Sequence, residues 1–356
     1  MFDIYYLTTR DKTSAFVQVC LYFIGLTLAV LFSLIILIFS EVPIGSLYEE
    51  LFVQVFINPD GLARTITASI PIMLVGLAAT LCLKLKFWNI GIEGQMIVGA
   101  IAATLVALYT ELGFFQKPAM LMASVISGAL WILGPLWLKL RFGVSEVIVS
   151  LMASSIAYLL LQHLLFGILG DPKVNFPTSV VLDDYERFLQ IGFGNVHMGL
   201  FLALALILFC FYGFERLNFG HQLKFLNDNE VAAKSIGIRV ALITSITVLA
   251  GGACAGLAGA TVIMGTEFRL TQQIAINATF NGIVVAALAR YKIFWVPIVS
   301  IFIAGLHTAS TSLKVFYGVS AGTILIIQGI ILLSLVTMPF FGEYRIVRNF
   351  NRASND

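Results

Sequence analysis

Ten stretches of this chain are apolar for close to the length, about 20 residues, that a helix needs to cross the roughly 30 Å hydrocarbon layer of a membrane. They begin near Phe16, Ala63, Ile90, Ala119, Glu146, His197, Ala241, Ile274, Ile293 and Ser320. They end near Ser40, Leu83, Thr110, Leu138, Gly167, Gly213, Met264, Ala289, Leu313 and Pro339. Backbone polar groups in lipid must be bonded within their own segment, so the runs are expected to be helices, and no period-two alternation suggests a barrel. The sequence is 59% hydrophobic and 11% charged, against about 45–50% and about 25% in soluble domains. A water-soluble chain of 356 residues could not hide that much apolar surface. The same arithmetic excludes a disordered, collagen-like or disulfide-stapled protein. A net charge of +2 is too small to attract a nucleic acid. Cys20, Cys82, Cys210 and Cys254 lie in apolar runs without CxxC or metal spacing and read as small packing residues. The first run is too long for a signal-peptide core and is expected to be a retained span.

Basic residues fix the expected orientation. With the N-terminus cytoplasmic, 15 of the 21 Lys and Arg lie inside, among them Lys84, Lys86, Lys139, Arg141, Lys224 and Arg290. Both chain ends are then cytoplasmic and the protein is multi-pass. Three loops are long: the outer segments Glu41 to Leu62 and Leu169 to Val196, each long enough to cover a mouth, and the inner segment Phe214 to Arg239. No stretch has the composition of a separate soluble domain, so residues 1–356 are expected to form one membrane domain.

Polar residues inside apolar runs are the informative ones, because the membrane penalises them. Asn89, Glu93 and Gln95 fall within seven positions at the start of the third run, loosened by Gly91 and Gly94. Glu93 at a helix centre would cost about 2.5–3.5 kcal/mol. One reading is a polar helix start lining a pathway, its N–H groups aimed at whatever precedes it. The other is an interfacial cap just after Lys84 and Lys86. A second break, GTEFRLTQQIAINATFNGI from Gly265, puts Asn277, Thr279 and Asn281 within or against the membrane. Interrupted runs at corresponding places in two halves mark binding sites in transporters. Pairing the second run with the seventh and the third with the eighth gives halves five spans apart, hence inverted. Small residues at Gly251, Ala255 and Gly259, and at Gly252, Gly256 and Ala260, recur every four positions in the seventh run and are expected to allow close helix packing. His163, His197, His221 and His307 form no metal motif, and His307 is expected to pack against a neighbour. No phosphate loop or nucleophile elbow occurs, so catalytic and metal residues are expected to be absent.

In the inner loop, Asn229 or Asp228 can cap a short helix. Glu230 suits its positive end and Lys234 its negative end, the two forming an i,i+4 pair. Gly237 can supply a left-handed stop. A helix of about two turns is expected, with Ala232 and Ala233 on an exposed face. It suits either a bland interfacial element or a dock for a cytoplasmic partner.

Taken together, these segments resemble the permeases of ABC importers of the branched-chain amino acid, ribose and nucleoside type, closest to the nucleoside and simple-sugar permeases. The resemblance rests on NIGIEGQMIVGA from Asn89, FGVSEVIVSLMASSIAYLL from Phe142, NEVAAKSIGI from Asn229, GGACAGLAGA from Gly251, TFNGIVVAALA from Thr279 and IQGIILL around Gln328, in family order over about residues 63 to 335. It implies an all-α type II importer permease with inverted repeats and about ten transmembrane helices, in a bacterial cytoplasmic (inner) membrane. It further implies pairing with a second copy or paralogue, ATP-binding subunits that hold ATP and Mg, an extracytoplasmic binding protein, and no cofactor in this chain. By position, Asn229 to Gly237 would be the coupling helix, and Asn89, Glu93, Gln95, Phe280 and Asn281 the substrate pathway, taking nucleosides or related neutral solutes. The family loop usually carries Gly and Pro where this chain has Asn227 and Glu230, residues that also suit a turn and a first helical position. The rival readings are an ion-coupled secondary transporter, for which only Glu93 offers a buried acid, and a membrane-embedded enzyme, which lacks clustered catalytic groups.

Overall fold

The computed structural model describes residues 5–9, 15–39 and 48–348, and each of the ten apolar runs is helical within them. Residues 41–47 of the first long loop, with Arg10, Lys12 and Arg352, lie outside the described residues. In chain order the elements are β1 (Tyr5–Thr9), α1 (Ala15–Phe39), α2 (Pro59–Leu83), α3 (Ile92–Tyr109), α4 (Gln116–Phe142), α5 (Glu146–Leu165), α6 (Gly199–Phe211), α7 (Asn218–Asp228), α8 (Glu230–Ser235), α9 (Val240–Val262), α10 (Ala278–Leu288), α11 (Val296–Tyr317), α12 (Ala321–Glu343) and β2 (Tyr344–Arg348). Among the described residues the fold is helical, with one short antiparallel ladder pairing Tyr5 with Arg348 through Thr9 with Tyr344.

Among the described residues, seven helices are long and apolar enough to cross a membrane. They comprise α2 to α6, α9 and α11, several with an added turn at one end. The count of about ten needs one clear correction. The eighth run yields only α10, whose 11 residues rise about 16 Å, half the hydrocarbon layer. The cause is local: Phe268 and Asn277 hold left-handed backbone, with φ of +55° and +60°, and no helix continues through such residues. The irregular stretch between them is tolerated because it is partly buried in protein, at Ile274 and Ala275, and partly lines a cavity, at Ile274 to Ile276.

The contacts divide the chain into two units. One joins 1–53 with 309–356; there α1 lies along α12, and Gln328 Nε2 donates to Ser310 Oγ at 2.9 Å. The other, 54–308, is built around α9, which packs on α2, α3 and α4. The small-residue stripes of α9 make this possible. A Cβ on Gly252 would stand 2.7 Å from the carbonyl oxygen of Gly128 on α4, and one on Gly251 would stand 2.7 Å from Cys82 Sγ on α2. On Gly259 it would strike the Met96 carbonyl of α3. The backbones approach to where only hydrogen fits.

The helix contacts between the two halves are reciprocal: α2 lies on α10 as α9 lies on α3. Each half also places a single 3₁₀ turn, Gly113–Phe115 or Ile293–Trp295, before its next helix, α4 or α11. Asn58 caps α2 by accepting from Asp60 N at 3.0 Å, with Pro59 in the first turn where a missing N–H costs nothing. At the opposite end of α2, Lys84 Nζ meets Glu215 at 2.7 Å, and Lys86 Nζ donates to the Asn227 carbonyl at 3.1 Å. These bonds gather the turn after α2, the turn before α7 and the last turn of α7 on one face, the basic face.

Candidate functional site

The two broken helices begin beside each other. Thr279 in the first turn of α10 accepts from the Glu93 backbone N–H at 3.1 Å and donates to the Ile90 carbonyl at 3.2 Å, so the starts of α3 and α10 share one hydroxyl. Two further donors at the head of α3 are met from α5: Ile90 N–H by Ser150 Oγ and Gly94 N–H by Ser154 Oγ, each at 3.1 Å. Serines four apart stand on one helix face, and Gly94 lets α5 close on α3, since a Cβ there would sit 2.7 Å from Ser154 Cα. These N–H groups therefore cap onto neighbouring helices instead of standing open to a ligand.

Asn89 and Gln95 are 3% and 1% exposed and bond each other twice, each amide nitrogen donating to the other's oxygen at 3.0 Å. Asn89 Oδ1 also accepts from Gly91 N at 3.0 Å. A closed amide pair of this kind fixes the turn that starts α3 and satisfies groups that lipid or protein could not solvate.

A cavity of about 410 Å³ lies on the other side of this junction, within the range of small-molecule sites. It follows α2 from Arg64 to Val75, about 16 Å at about 1.5 Å per residue. Its wall is completed by Met96 of α3, Thr266, the irregular segment Ile274 to Ile276, and Asn281 and His307. Asn281 Oδ1 and His307 Nε2 stand 3.3 Å apart. Thr67 and Pro71 also line it; the proline ring removes the N–H that would have bonded the Thr67 carbonyl, a gap in the helix's hydrogen-bond ladder placed at the cavity. Arg64, Asn195 and Thr266 are exposed, and no carboxylate belongs to the lining. The long loop from Leu169 is tied to the irregular segment, with Leu270 N donating to Ser179 Oγ at 2.8 Å and Leu182 N to the Phe268 carbonyl at 2.7 Å. This loop also supplies Asn195 to the cavity.

Of the five pathway residues read from sequence, Asn281 alone lines this cavity. Asn89 and Gln95 are occupied by each other, Glu93 is half-buried and reaches α10 through its backbone, and Phe280 is 51% exposed outside the cavity lining. His307, expected to pack, stands in the wall. Sequence reasoning passed over Arg64 and Thr67, which carried a usable signal: polar residues three apart, just before Pro71, inside an apolar run.

The loop helix forms as expected. In α8, Asn229 Oδ1 accepts from Ala232 N at 3.0 Å, Glu230 meets Lys234 at 2.7 Å, and Gly237 ends the helix at φ +83°. Its exposed face is corrected: Ala233 is fully buried and Ala232 partly so, whereas Val231 and Ile236 are 75% and 64% exposed. The small residues sit where the helix meets its neighbours α7 and α9, leaving the branched ones outward.

A family model described as branched-chain amino acid transport system / permease component matches residues 61–336. The glucose ABC transporter permease protein TsgB13 of Haloferax volcanii is 32% identical over 321 residues, covering 87% of this chain and 84% of that one. The guanosine ABC transporter permease protein NupP of Bacillus subtilis is 28% identical over 306 residues, covering 84% and 87%. The nucleoside ABC transporter permease protein NupB of Lactococcus lactis subsp. cremoris is 24% identical over 281 residues, covering 72% and 73%.

Proposed function

This chain belongs to the branched-chain amino acid transport system / permease component family, and from that membership we propose that it moves nucleosides or simple sugars through the cavity beside α10. It is the membrane-embedded permease subunit of an ATP-driven ABC importer, a transport subunit rather than an enzyme. The family works with ATP-binding and substrate-binding partners in general.

The observation that carries the substrate reading is the lining of the 410 Å³ cavity: a mostly apolar wall that carries amide, hydroxyl and imidazole groups, with a single guanidinium at its rim. Neutral solutes rich in hydroxyls or ring nitrogens find donors and acceptors there without having to neutralise a buried charge. Relatives that carry glucose, guanosine and nucleosides support the same class.

In this reading the basic face is cytoplasmic, both chain ends lie inside, and the membrane is a bacterial inner membrane. The cavity, with Arg64 and Asn195 at its rim, takes solute from an extracytoplasmic binding protein. ATP-binding subunits, holding ATP and Mg, grip α8 through Asn229, Glu230, Val231, Lys234 and Ile236, with Ala232 and Ala233 seating the helix and Gly237 ending it. Their closure shifts α8 against α9, whose tight glycine contacts pass the movement to α2, α3 and α4. A second copy or paralogue of this chain completes the pore and covers exposed Phe280 and half-buried Glu93. Residues 1–356 act together as the permease domain.

The test is uptake of labelled guanosine and glucose by cells carrying the complete importer, with and without this chain. ATP-dependent uptake of one of them should vanish without the chain; undiminished uptake of both would overturn the assignment.

A further inference from the structure

On the basic face a cavity of about 660 Å³ is lined by five cationic side chains, Lys84, Lys86, Lys224, Arg290 and Lys292, and one carboxylate, Glu215. Glu215 is already committed, accepting from Lys84 at 2.7 Å and from the Ile293 N–H at 2.9 Å. The cavity therefore carries a net surplus of positive charge. Three residues at its edge, Lys86, Arg290 and Tyr291, hold left-handed backbone at φ +56°, +50° and +57°, a conformation rare for non-glycine residues that persists where the surroundings impose it.

A second hollow, about 710 Å³, shares Glu215 and Lys292 with the first and so adjoins it. Its walls are mostly apolar, with Leu204, Leu208 and Phe211 of α6 and Phe294 and Trp295 among them, and its charged residues are Glu215, Arg216 and Lys292. Leu208 and Phe294 are exposed on the surface of membrane-spanning segments. From Leu204 to Glu215 the groove follows the chain for about 16 Å, the thickness of one leaflet in a roughly 30 Å hydrocarbon layer.

A cationic chamber at the membrane boundary, joined to an apolar slot one leaflet deep, has the two-part chemistry of an anionic phospholipid. We propose that this joined pair of hollows binds one such lipid, its phosphate among Lys86, Lys224, Arg290 and Lys292 and an acyl chain along Leu204, Leu208 and Phe294. Basic pockets between transmembrane helices attract acidic headgroups, and the adjoining slot distinguishes a lipid from a free anion. The site lies apart from the solute cavity and shares no residue with it.

The experiment reconstitutes the complete importer in phosphatidylcholine nanodiscs with or without cardiolipin or phosphatidylglycerol, and measures retained lipid by native mass spectrometry and the unfolding midpoint. The wild type should retain an acidic lipid and unfold at a higher temperature with it. Retention should weaken about fivefold for each lysine removed in Lys86→Gln, Lys224→Gln and Lys292→Gln, and Lys224→Arg should restore it. Leu208→Trp fills the slot and leaves every charge, so it should weaken lipid retention without depending on any loss of charge. Equal retention by wild type and variants would overturn the proposal. So would inorganic phosphate reproducing the stabilisation, which would make this a free-anion site. A charge variant that releases the ATP-binding subunits while keeping its lipid would assign the chamber to that partner instead.

Discussion

Replacing Gly252 by alanine tests the claim that α9 is the hub of the helical core. The added Cβ would lie 2.7 Å from both the Gly128 carbonyl oxygen and Ile132 Cγ2, and 3.3 Å from Ala129 Cα. Ile132 is fully buried and has little room to turn, and the Gly128 oxygen is backbone. Ordinary contact begins near 3.4 Å, so α4 and α9 must part by most of an ångström. Overpacking of this kind costs about 1–3 kcal/mol, and alanine returns about 0.5–1 kcal/mol in helix propensity. A net loss of about 1–2 kcal/mol should lower the unfolding midpoint of a chain this long by about 1–3 °C, read by thermal unfolding of the purified protein in detergent. Gly134→Ala on α4 is the control, since its Cβ meets nothing within 4 Å; it should leave the midpoint unchanged or raise it. If Gly252→Ala proves as stable as Gly134→Ala, the tight α4–α9 seam is wrong.

The remaining predictions concern the junction and the loop helix. Asn89→Leu or Gln95→Leu should each cost about 1–3 kcal/mol by orphaning the partner amide, while the double variant loses less than the sum, measured as a double-mutant cycle on unfolding. Thr279→Val removes the hydroxyl shared by Glu93 N and Ile90 O and should destabilise by about 1–3 kcal/mol, with faster hydrogen exchange at Glu93 as its local sign. Asn229→Ala removes the α8 cap, worth about 1 kcal/mol; exchange at the Ala232 amide should rise about fivefold, and stimulation of the ATP-binding subunits should fall.

Much of this architecture is legible in the residues. Apolar length alone marks the helices, because lipid leaves the backbone few alternatives. The α8 cap, ion pair and glycine stop were readable because all three are local. The glycine stripes foretold close packing, although nothing in the sequence said that Gly252 would meet α4 while Gly251 meets α2. What stayed hidden depends on depth and on partners far along the chain. Hydropathy could not show that α10 starts only at Ala278, because the left-handed backbone at Asn277 that ends the irregular stretch leaves no mark on apolar content. Asn89 and Gln95 looked like pathway residues because a polar side chain in an apolar run has the same sequence signature whether it lines a passage or bonds a neighbour. Ser150, Ser154 and Thr279, which close the head of α3, are unremarkable in sequence and matter only because α5 and α10 bring them there.

The central claim is that solute passes the wall formed by Asn281 and His307. The direct measurement places a cysteine at Asn281 in a chain whose Cys20, Cys82, Cys210 and Cys254 are replaced, assembles the complete importer in proteoliposomes, and follows modification by a water-soluble thiol reagent. The labelling rate should fall when the transported solute is added, and change again when ATP turnover is arrested. If that solute is still carried while the labelling rate ignores it, the passage lies elsewhere.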